Sequence, residues 1–91
     1  MDPELLTNRL QEAAESLGVE VRDGPPESEG AVVKLRGKTV VFVPAGVLAA
    51  KKARILARAL ASMDTEAVFL VPDVREAIEK ARESGQPGER G

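Results

Sequence analysis

The sequence predicts a single α+β domain: a small mixed sheet with helices packed mainly on one of its faces. Three observations lead there. Two segments repeat apolar residues at helical spacing, each closed off by glycine or proline, and a third helical pattern lies between them. A hairpin pattern sits in the first half of the chain. A short apolar run follows the middle helix and ends at Pro72.

The first helix is expected over 3–17. Asp2 is placed to cap it, Pro3 suits the first helical position, and Gly18 suits the left-handed position after its end. Leu6, Leu10, Ala13 and Leu17 fall on one face, with Asn8, Glu12 and Glu15 on the other. "VEVR", 19–22, alternates and reads as an edge strand, and "DGPPESEG" reads as a loop.

"AVVKLRGKTVVFVP" reads as strands over 31–36 and 39–43 joined by a tight turn. With Gly37 and Lys38 at the centre of a type II′ turn, Arg36 faces Thr39 and Leu35 faces Val40. One face is then Val33, Leu35, Val40 and Phe42. The other, mixed face carries Val32, Lys34, Arg36, Thr39, Val41 and Val43. A long helix follows over 46–63, with Leu48, Ile55, Leu56, Ala59, Leu60 and Met63 inward and Lys51, Arg54, Arg58 and Ser62 outward. "AVFLV", 67–71, is expected as a fourth strand, parallel to the one ending at Val43 by a right-handed crossover. A last helix over 72–84 turns Val74, Ala77, Ile78 and Ala81 inward. The domain is expected to span 1–85, with 86–91 a flexible tail.

Composition limits the chemistry. The 91 residues contain no His, Cys, Trp or Tyr and two Phe. Thiolate and imidazole metal sites, disulfides and a histidine-based general base or triad are therefore absent. No catalytic residue, metal or cofactor is expected. Glu27 with Glu29 and Asp64 with Glu66 are the nearest thing to cation-binding pairs, and neither has a framework to hold an ion. "VPAGVLAAKK" lacks the second glycine and the Lys-Ser/Thr pair of a phosphate loop. Few Asn and Gln beside 31% charged residues resemble the composition of heat-adapted proteins. There is no long apolar run and no basic-then-apolar leader pattern, so a soluble cytoplasmic protein without membrane contact is expected.

The net charge of −2 conceals segregation. Residues 1–30 hold eight acids and two bases, 31–63 hold seven bases and no acid, and 64–91 hold seven acids and four bases. Acidic and basic elements lying side by side account for this, as does self-association. An anion- or nucleic-acid-binding surface on Lys51, Arg54 and Arg58 is a third reading. It is disfavoured by the low net charge and the lack of aromatic stacking platforms.

"TVVFVP" followed by "ILARALAS" resembles the core of the phage-repressor-cleaving zinc metallopeptidases, over roughly Gly30 to Met63. In that family a hairpin leads into a helix bearing H-E-x-x-H. Here Arg58 and Ser62 stand where the histidines would be and Ala59 where the glutamate would be, so the resemblance implies a scaffold without the activity. "GAVVKLRGK" and "PDVRE" also resemble small uncharacterised bacterial proteins with a G-x-x-x-x-L-x-G-K hairpin and a P-x-V-R-E helix start, a likeness that implies no activity. The function expected from these readings is a non-catalytic interaction module, most simply a homodimer. Val32, Lys34, Val41 and Val43 are its candidate self-association face, because those valines need cover.

Overall fold

A computed structural model describes residues 2–63, 65 and 68–84. Its elements run α1 (Pro3–Ser16), β1 (Glu20–Gly24), β2 (Ala31–Leu35), β3 (Lys38–Pro44), α2 (Ala49–Ala61) and α3 (Pro72–Ser84). Three helices and a three-stranded mixed sheet make the α+β fold.

The sheet order is β1-β3-β2. β3 is central, parallel to β1 (Val21 beside Val41) and antiparallel to β2 (Val33 beside Val40). The chain leaves β1, crosses the end of β3 through residues 25–30, descends as β2 and returns between the two as β3. Gly30 makes the entry to β2 possible. Its φ is +92°, and a Cβ there would lie 3.2 Å from Ile55 Cγ2 and 3.3 Å from the Phe42 carbonyl oxygen.

The three helices pack against one another, α2 touching both α1 and α3, and α1 and α2 are the helices that reach the sheet, at β1 and β3; the basic helix thus has two neighbours that carry more acids than bases. The core gathers Leu10, Leu56, Leu60, Val74 and Ile78 of the helices into one cluster with Val41 and Val43 of the sheet. Full burial of each such side chain contributes roughly 1.5–3 kcal/mol. Thr7, the buried polar residue among them, donates its hydroxyl to the Ala49 carbonyl at 2.9 Å, which ties α1 to the start of α2. Arg9 of α1 reaches Asp73 of α3 at 2.8 Å. The Asp73 carboxylate also accepts from the Val74 amide at 2.8 Å, favourably placed at the positive end of α3.

Several expectations need correction. The turn is centred on Arg36 and Gly37, not on Gly37 and Lys38: both have positive φ, 53° and 81°, which makes it type I′. Leu35 therefore faces Lys38. The change moves every pairing by two residues, so each side chain keeps its expected face. Residues 68–71 form no strand. The parallel place beside β3 is taken by β1, and the segment instead drops Leu70 into the core and leaves Phe69 82% exposed. Ala67 lies outside the described residues, as do Asp64, Glu66 and the tail 86–91. α2 starts at Ala49 rather than 46, after Gly46 at φ +79°, and Leu48 is 79% exposed at its N-cap rather than inward. Asp2 occupies the N-cap of α1 without a side-chain capping bond. No helix among the described residues is long and apolar enough to cross a membrane.

Candidate functional site

The helices share a core with one sheet face, and among the described residues no helix packs on the other. By the pairing register, the uncovered face carries Ala31, Val33 and Leu35 of β2, Lys38, Val40 and Phe42 of β3, and Glu20 and Arg22 of β1. None of its apolar residues belongs to the core cluster. At the β1 side this face is closed by charge. The Glu20 carboxylate accepts from the Arg22 guanidinium and lies 3.7 Å from Lys38 Nζ. Glu20 stands directly beside Val40, with Arg22 and Lys38 one pair away on either side, and Val40 is only 1% exposed. The Arg22 hydrogen bond, more than the charges of Arg22 and Lys38, holds the Glu20 carboxyl below its ordinary value of 4.5, and the same bond raises Arg22.

At the β2 side the sheet is open. Both outer strands are edges, but they differ in chemistry. β1 sets Glu20, Arg22 and Asp23 along its five residues, the kind of charged edge that resists pairing with another chain. β2 reads Ala-Val-Val-Lys-Leu, with one charge. Val32 and Leu35 are 48% and 49% exposed, and Ala31 and Lys34 are exposed beside them. An apolar edge strand is a template for a further strand.

The structure separates the residues expected to mediate self-association. Val41 and Val43 are each 1% exposed within the core, so the helices supply the cover that those valines need. Val32 and Lys34 stay at the surface. Ala31, Val33, Leu35, Val40 and Phe42, the apolar part of the uncovered face, are not among the expected contact residues. The signal was present in the alternation of the hairpin, but it does not say which face the helices take.

On the helix side, α2 and α3 frame a groove of about 420 Å³ walled by Ala53, Ala57, Ala77 and Ala81, with Arg54, Arg58 and Lys80 at its rim. Lys51 is exposed on α2 away from it. Arg54 and Arg58 are exposed, one turn apart. The Ser62 hydroxyl donates to the Ala59 carbonyl at 2.7 Å, a local bond at the end of α2. No group of three or more metal-ligating side chains occurs among the described residues.

Comparison with known proteins adds no relative: no family model, curated protein or solved structure matches the chain.

Proposed function

We propose that the chain is a non-catalytic interaction module that associates with itself through the β2 side of its sheet. The observation that carries this reading is the edge strand β2, whose Val32 and Leu35 stand half exposed beside an uncovered apolar face. A domain this small has three helices, and they share their core with the Val41 and Val43 face of the sheet. A second copy offers matching apolar surface without any further element. The absence of His, Cys and Tyr agrees with a role in assembly rather than in acid–base or nucleophilic chemistry.

Sedimentation equilibrium at low and high salt tests it. The expected result is a dimer that persists in salt, and a monomer for Val32→Glu and Leu35→Glu with helical content unchanged. Both positions are exposed, so the substitutions leave the core alone. A wild-type monomer at every concentration and both salts overturns the proposal.

A second reading has one observation in its favour: Arg54 and Arg58 stand together at the rim of the α2–α3 groove. It makes the chain an anion-binding protein, with Lys51 as an outer contact. Retention on heparin that falls steeply with salt and is lost in Arg54→Ala/Arg58→Ala supports it. No retention at low salt removes it.

A further inference from the structure

The β2 strand also carries enough information to fix how two copies meet, an inference that rests on the self-association reading above. In a type I′ turn the first residue's carbonyl accepts from the fourth residue's amide. Leu35 and Lys38 close this turn, so the main-chain groups of Leu35, and by alternation those of Val33, point to β3. Those of Val32 and Lys34 point outward. A second strand can bond only where outward residues meet outward residues.

Three two-fold antiparallel registers satisfy that condition near full overlap. Centring on Val32 pairs only 31–33 with itself. Centring on Lys34 pairs only 33–35 and sets lysine directly against lysine, which is unfavourable. Centring on Val33 overlaps the whole strand, Ala31–Leu35. It places Lys34 opposite Val32 of the second copy and Leu35 opposite Ala31.

The charges at the strand ends select the same arrangement. Glu27 and Glu29 precede β2 and Arg36 follows it. None of the three has an ion-pair partner among the described residues. Antiparallel pairing centred on Val33 sets Arg36 opposite Gly30 of the second copy, beside its Glu29, and does so twice. Parallel pairing would instead gather like charges at each end.

We infer that two copies of the chain join their β2 strands antiparallel about Val33, with Glu29 of each beside Arg36 of the other. The result is one continuous six-stranded sheet. Both helix layers lie on one side, and the uncovered faces of Val33, Leu35 and Phe42 merge on the other.

The chain has no cysteine, so a single introduced thiol reports the register. Val33 pairs across the axis as a non-hydrogen-bonded pair, with Cα atoms about 4.5 Å apart, within disulfide reach. Val33→Cys is expected to form a disulfide-linked dimer rapidly under mild oxidation. Val32→Cys and Lys34→Cys, whose own copies stand diagonally, are expected to lag. Independently, Glu29→Arg or Arg36→Glu should weaken the dimer by roughly 2- to 30-fold, two surface pairs being reversed. The combined variant should restore it, because each copy then carries both reversed partners. A dimer by sedimentation in which Val33→Cys cross-links no faster than its neighbours, or in which the combined variant stays weak, overturns this geometry while self-association stands. A monomer throughout overturns both.

Discussion

Replacing Arg36 with asparagine separates the stability of the hairpin from the strength of the association. Arg36 is the non-glycine residue of positive φ among those described, at 53°, followed by Gly37 at 81°. An L-residue in the left-handed region is strained by about 1–2 kcal/mol, and asparagine by much less because its short side chain bonds locally. Asn-Gly is the favoured pair for this turn. Arg36 is exposed, so its removal forfeits little packing. The substitution should therefore stabilise the fold by about 0.5–1 kcal/mol, a rise in Tm of roughly 2–8 °C for a domain of this size. It also removes the cation beside Glu29 of the second copy, at about 0.2–1 kcal/mol per pair, so the dimer should loosen by roughly 2- to 30-fold over two pairs. Thermal unfolding at concentrations where the wild type is monomeric reads the first effect, and sedimentation equilibrium reads the second. Arg36→Lys keeps the charge and the strain and should move neither by much. A variant no more stable than wild type refutes the turn argument, and one that dimerises more tightly refutes the charge argument.

Leu48→Ser should stabilise the monomer by about 1 kcal/mol, because Leu48 occupies the N-cap of α2 in extended geometry without a capping bond. Its 79% exposure means little burial is lost, and equal or lower denaturant midpoints would count against it. Gly30→Ala should destabilise by about 1–3 kcal/mol, since φ is +92° and the new methyl meets Ile55 and the Phe42 carbonyl; unchanged chemical denaturation would refute the close approach. Glu20 has a lowered folded pKa, so its contribution to stability is present above 4.5 and lost as pH falls through its folded value. Wild type should therefore exceed Glu20→Gln in stability near neutral pH, with the gap closing below 4.5; a gap that widens in acid would show the sign to be wrong.

The helices are legible in the sequence because punctuation and periodicity agree. Pro72 and Asp73 open α3 where expected, and Gly18 follows α1 at φ +78°. The start of α2 is less legible: Gly46 precedes it in a left-handed conformation, and an uncapped Leu48 carries no boundary signal. The hairpin shows which level of information survives an error. Misplacing the turn by one residue changes the register by two, and the period of two then keeps every side chain on its proper face. Which face the helices cover is a tertiary matter. Lys34 and Thr39 make the Val41 face look mixed, yet they pair together near the turn, while Val41 and Val43 lie farther along the central strand under the helices. The run at 68–71 has the composition of a buried strand, but composition does not reserve a place in the sheet, and β1 already holds the place beside β3.

The charge segregation along the chain also bears on which surface meets a partner. α2 carries four bases and no acid, and read alone it suggests a phosphate-binding helix. In the fold it packs against both α1 and α3, and packed helix axes are about 8–10 Å apart. Exposed Glu12 and Glu15 on α1 and Glu76, Glu79 and Glu83 on α3 lie on those neighbouring helices, but Glu12, Glu76 and Glu79 line other clefts, beside Phe69 and Leu70. The groove at Arg54 and Arg58 carries Lys80 and no carboxylate in its lining, so those acids act on a phosphate chain there only through a field screened over about 8 Å at physiological salt. The β2 edge is arranged differently. Its acids stand at one end, its bases at the other, and apolar residues fill most of the strand between them. A polyanion gains only half of that surface, whereas an antiparallel second copy gains all of it. The charge arrangement at the β2 edge therefore favours self-recognition on the sheet side.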